Sequence, residues 1–162
     1  MIRQTEQLLA TANHYLAEAK RVLAKDPNLA TSAIGEITRR HKRGTLSPSE
    51  VVLAHFGSAA VRLATVCEIA GYQPTENYRR KFYETSGKRK AGWSRQRIAA
   101  NITANPNEHL HLLLRDNVAH EEPGIANNKD IAADRFAVLK ATSIDTCRKA
   151  LDTIARRLKG VR

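Results

Sequence analysis

The stretch from Val51 to Tyr72, VVLAHFGSAAVRLATVCEIAGY, is the most apolar run in the chain, and Ser47-Pro48-Ser49-Glu50 stands directly before it. A Ser three residues ahead of a Glu is the signature of a capping box, and Pro suits the first position of a helix. The run therefore predicts one long helix that must be covered on most sides. Gly57, Ser58, Ala59 and Ala60 form a small-residue patch where another helix can approach closely, with Val52, Phe56, Leu63, Val66 and Ile69 as packing residues. His55, beside that surface, reads as a hydrogen-bonded structural histidine in preference to a ligand.

The cover is helical too. Only 5% of the residues are aromatic, β-type alternation is scarce, and Ala, Leu, Arg, Lys and Glu abound, which favours helix over sheet. From Ile2 to about Lys25, Leu8, Leu9, Ala12, Tyr15, Leu16, Ala19, Val22 and Leu23 recur at spacings of three and four, one stripe of an amphipathic helix. Asp26-Pro27-Asn28 breaks it. A shorter helix with Leu29, Ala33, Ile34 and Ile37 is expected next, ending in Arg39-Arg40-His41-Lys42-Arg43 before Gly44. That run serves either as helix C-terminal charge or as a phosphate contact. The final helix is expected to begin near Asp130. Its stripe of Ile144, Cys147, Leu151, Ile154, Leu158 and Val161 is close to a heptad seam, able to pack on the bundle or on a partner chain. The reading is one all-α domain over residues 1–162: a helical bundle with a long central helix, a basic loop and a long C-terminal helix.

Charge narrows the class of partner. The formal net charge is +11, well beyond what solubility asks of a small domain, so a polyanion is expected. Nucleic acid fits better than a membrane surface, because the cations gather in polar segments and do not line a strongly apolar helix. The segment YQPTENYRRKFYETSGKRKAGWSRQR concentrates them. Between Arg79 and Arg97, Arg79, Arg80, Lys81, Lys88, Arg89, Lys90, Arg95 and Arg97 face a single acid, Glu84, and Tyr78, Phe82, Tyr83 and Trp93 are interleaved. Cations contact phosphates and rings stack on unpaired bases, which suits single-stranded nucleic acid. Its Ser-Gly-Lys-Arg-Lys-Ala-Gly centre reads as a mobile loop, and the competing reading is a solvated loop whose Trp and Tyr pack back on the core. Cys67 and Cys147 read as reduced core thiols. No metal-ligand spacing, cofactor motif, leader peptide or run of roughly 20 apolar residues is evident, so a cytoplasmic protein without metal or cofactor and away from membranes is expected.

One further stretch carries chemistry. Asn105-Pro106-Asn107-Glu108 is a helix start of capping-box type, and LHLLLRDNVAHEEPG follows, stopped by Pro123-Gly124. A cation, a carboxylate and an imidazole gather at its end in Arg115, Asp116 and His120. Asp116 and His120 are four apart and share a face; Arg115 and His120 are five apart and do not. Their joint action needs a distorted helix end or two copies of the segment. The competing reading is an ion-pair and capping set at the surface.

Arg115-Asp116-Asn117-Val118-Ala119-His120 resembles the signature of the HEPN superfamily, in which an Arg, usually a polar residue next, and a His after four to six residues form a ribonuclease site in a helical bundle. The resemblance implies an endoribonuclease of toxin or phage-defence type acting on single-stranded RNA, in which two motifs meet across a dimer interface. It implies a homodimer or a second HEPN protein as partner, and an antitoxin or complex subunit as a possible regulator. Arg115 would clamp phosphate, His120 would move protons, and Asp116 would orient the imidazole or hold Arg115. Asn117 would bind substrate or shape the helix end. His109 and His111 read as surface histidines able to line the same cleft. The alternative is a non-catalytic nucleic-acid-binding subunit of a ribonucleoprotein or mobile-element complex.

Overall fold

A computed structural model of the chain describes residues 2–33, 46–72, 74–119 and 129–160. Among them are seven α-helices, two short 3-10 turns and no strand: α1 (Ile2–Lys25), α2 (Pro48–Ile69), α3 (Pro74–Gly87), α4 (Arg95–Thr103), α5 (Pro106–Ala119), α6 (Lys129–Lys140) and α7 (Ile144–Leu158). The all-α reading holds. The basic run Arg39 to Arg43 and the expected positions Ile34 and Ile37 lie outside the described residues.

Local sequence starts the central helix as anticipated. Ser47 accepts from the Glu50 backbone N–H, and the Glu50 carboxylate takes the Ser47 N–H at 2.8 Å, so both halves of the capping box form at the entry to α2. The helix ends in a Schellman turn. Gly71 adopts φ +68, the Gly71 N–H donates to the Glu68 carbonyl and the Tyr72 N–H to the Cys67 carbonyl, so the left-handed position falls on the residue that tolerates it.

Packing follows the stripes. Ala12, Leu16, Ala19 and Leu23 of α1 are buried, with Leu8, Leu9, Tyr15 and Val22 partly buried beside them. They meet α2, whose Val52, Phe56, Gly57, Ala59, Ala60, Leu63, Val66 and Cys67 are buried. Helices α1, α2, α5 and α7 pack on one another as the core bundle, while α3, α4 and α6 form a second group joined to it mainly through α5. His55 is half-buried with its ring 5.8 Å from that of Tyr15. Contrary to the sequence reading, α2 is long and apolar enough to cross a membrane by length and composition, but half of that window is buried within the bundle.

Two expectations change. The helix expected from Asp130 onward is two helices: α6 ends at Lys140, and Ser143 takes an extended conformation (ψ 158) and caps α7 by accepting from the Thr146 N–H. An isolated bridge pairs Ala33 with Ser143, and the Ile144 N–H donates to the Ser32 carbonyl at 3.0 Å, so the break anchors the segment after α1. That segment begins as a 3-10 turn, Pro27–Thr31, where an α-helix was expected. The α7 seam is spent on the core: Ile144, Cys147, Leu151, Ile154 and Leu158 are all buried, which leaves none of these five for a partner chain.

Candidate functional site

Helix α5 starts at Pro106, as its sequence signal indicates, and then runs through the middle of the molecule. Six consecutive residues, His109 to Leu114, are buried. Successive residues of an α-helix turn through about 100°, so six in a row cover every side, and this helix is enclosed by protein all round. His109 and His111 are therefore core residues, and the expectation of surface histidines in a cleft is corrected. His111 is 1% exposed and its Nε2 meets no hydrogen-bond partner among the described residues. Burial pushes the His111 imidazole down to about 4, with the Arg115 guanidinium and His109 adding to the effect. Desolvation and a neighbouring cation both penalise the imidazolium, so His111 is a neutral ring at physiological pH.

Arg115 is where α5 first leaves the core. Its side chain is 18% exposed and its Nη1 lies 3.2 Å from Glu68 Oε1 at the end of α2. Glu68, at 57% exposed, comes from the neighbouring helix and was not anticipated. The available signal was its position as the only carboxylate in α2 beyond the first turn. The α5 backbone continues as helix through Ala119, but the side chains of Asp116 and Asn117, and all of His120, lie outside the described residues.

The basic segment folds more tightly than a loop. Helix α3 extends to Gly87, Lys88 to Ala91 form a 3-10 turn, and Gly92 at φ +86 closes it, with the Trp93 N–H donating to the Lys88 carbonyl at 3.2 Å. Trp93 packs against the core and carries the Arg97 guanidinium 3.9 Å from its ring centroid. Phe82 is buried. Neither ring is placed as an open stacking platform, whereas Tyr83 is exposed. The side chains of Tyr78 and Arg79 are outside the described residues.

Asp134 of α6 explains two of the arginines. This fully buried carboxylate accepts from Ser86 Oγ at 2.8 Å, from Arg89 Nη2, and from Arg95 Nε at 3.3 Å. Arg89, in the 3-10 turn, and Arg95 of α4 thus balance a buried charge, and with Ser86 of α3 they tie these elements to α6. Among the other candidates, Arg80, Lys88 and Lys90 are exposed and Lys81 is half-buried. Arg80 Nη2 reaches Asn77 Oδ1 at 3.3 Å. Cys67 and Cys147 are free and buried; burial pushes Cys67 up to about 11, with Glu68 adding to it, and Cys147 up to about 12. Neither is a thiolate at neutral pH. Among the described residues no group of three or more His, Cys, Asp and Glu converges as metal ligands would.

Comparison with known protein families, with curated proteins and with solved structures finds no match to this chain.

Proposed function

We propose that the chain is a metal-independent endoribonuclease for single-stranded RNA, in which Arg115 and His120 form a half-site completed by a second copy or a second protein of HEPN type. One observation carries the reading: Arg115 is the first residue of α5 to leave a fully enclosed stretch, so its guanidinium is held at the molecular surface by a rigid, buried stem. A preorganised cation of this kind suits a phosphate whose charge grows during reaction. Glu68 holds it in the resting protein, and because Glu68 is well exposed, exchange of that carboxylate for a phosphate costs little.

The chemistry needs no external nucleophile. RNA presents its own 2′-hydroxyl, from which His120 takes a proton as the oxygen attacks the adjacent phosphorus. Arg115 stabilises the charge on the non-bridging oxygens, and the 5′-oxygen leaves with a proton donated by the imidazolium of the second half-site or by water. The products are a 2′,3′-cyclic phosphate and a 5′-hydroxyl. His111 has no part in this, since it is sealed from substrate. Asp116 orients the imidazole, and Asn117 contacts substrate or shapes the helix end. Arg80, Lys81, Lys88 and Lys90 supply phosphate contacts around the basic turn, beside the Asp134-bound Arg89 and Arg95. A toxin or phage-defence role, with an antitoxin or complex subunit as regulator, fits such an activity.

The test is incubation of pure protein with single-stranded RNA in the presence of a chelator. Wild type should cut it, and Arg115→Ala and His120→Ala should each lose at least about a hundredfold in rate. Cleavage persisting in both variants removes the site. Salt-sensitive binding without cleavage by wild type indicates the non-catalytic nucleic-acid-binding subunit instead.

A further inference from the structure

A cleft of about 820 Å³ lies between α1 and α7 and reaches the first turn of α5, away from the residues assigned above. Its walls carry Lys20 from α1, Arg148, Lys149 and Arg156 from α7, and Lys159 just beyond it, with Asp152 the one acid among the lining residues. Asp152 is shared between Lys20 at 3.1 Å and Arg148 at 3.6 Å. Asp145, which is not among the lining residues, takes Lys149 and Arg148 at 2.8 Å each, and these two cations hold its carboxyl below the usual range. Among the described residues, five cations against two carboxylates leave a surplus of three, and Arg156 and Lys159 form no ion pair.

Like charges crowded into a concave surface repel one another and focus a positive potential there. A polyanion relieves both. Among the described residues no aromatic side chain lines the cleft; the remaining lining is mostly short polar groups, including Asn107 in the first turn of α5. Such a surface grips phosphates and cannot stack on bases. Asn107 and Arg115 are eight residues apart, about 12 Å along the α5 axis.

We propose that the α1/α7 cleft is a second RNA-binding surface, which holds the phosphate backbone without reading bases at the opposite end of α5 from Arg115. This inference rests on the reading that the chain binds RNA, but it does not require cleavage.

The experiment is anisotropy titration of labelled single-stranded RNA at several salt concentrations. All proteins carry His120→Ala so that the strand stays intact, and Arg156→Gln/Lys159→Gln is compared with the parent. Both positions are exposed, so the change should leave the melting temperature unaltered. Losing two phosphate contacts should lower the slope of log affinity against log salt by about 1.4, at roughly 0.7 per contact on a single strand. The loss should be the same for U-rich and A-rich strands, and Arg156→Lys/Lys159→Arg should restore the slope. An unchanged slope and affinity in a folded variant overturns the cleft, as does a loss confined to one base composition. If the parent binds RNA and the wild type cuts it while the variant is unaffected, only the cleft fails. If wild type binds without cutting, the catalytic reading fails and the cleft is judged on the slope alone. Absence of salt-sensitive binding by the parent removes both.

Discussion

His111 and Arg115 sit four residues apart on one face of α5 and divide between them what a polar side chain can do there. His111 lies inside, kept neutral by burial and by the guanidinium nearby; Arg115 reaches the surface and pairs with Glu68. The consequence for stability has a definite sign. An unfolded His takes up a proton near pH 6.5, while the folded imidazole refuses it until about pH 4. Stability is therefore complete above the unfolded value and falls as pH drops through this window, by about 3 kcal/mol in all, with no further loss from this group below it. Urea unfolding above and below the window should show the loss in wild type and a smaller one in His111→Leu, where no imidazole remains to protonate. Equal losses in the two proteins would place the acid sensitivity elsewhere. Glu68→Ala, by contrast, removes one partner of an exposed pair and should shift stability by less than about 1 kcal/mol in the same assay.

At the scale of elements, the charge on Asp134 does the joining. A carboxylate with no exposure needs its cations, so breaking the pair from the arginine side leaves a buried anion undercompensated. Arg89→Ala should cost about 3 kcal/mol in denaturant unfolding, whereas Arg80→Ala, on an exposed side chain, should stay within about 0.5 kcal/mol. Removing Asp134 as well should recover part of the loss, because the residues are coupled. Additive costs would show that Arg89 acts independently of Asp134.

These elements also separate what sequence reveals from what it hides. The α1 stripe, the Ser47 capping box and the Pro106 start are local signals and stand in the structure as read. The break before α7 was missed because Ala141-Thr142-Ser143 has neither Gly nor Pro and the apolar spacing resumes beyond it. Ser143 ahead of Asp145 was the available clue, and Ser143→Ala should lower stability by about 1 kcal/mol. The burial of His109 and His111 was illegible because a helix enclosed on every side has no polar face to give it a period. Asp134 meets Arg89 and Arg95 across 45 and 39 residues of chain, and Glu68 meets Arg115 across 47. No local pattern announces such contacts.

The molecule is a small helical bundle whose described residues place cations on two surfaces, the turn between α3 and α4 and the cleft between α1 and α7, with Arg115 toward one end of its enclosed helix. In the proposed function the +11 charge supplies affinity for RNA, and the half-site supplies the reaction. The most direct measurement of that reaction is mass spectrometry of the ends of RNA fragments made by wild-type protein in the presence of a chelator. Attack by the 2′-hydroxyl predicts 2′,3′-cyclic phosphate and 5′-hydroxyl ends. Intact RNA, or fragments bearing 5′-phosphate and 3′-hydroxyl ends, would contradict it.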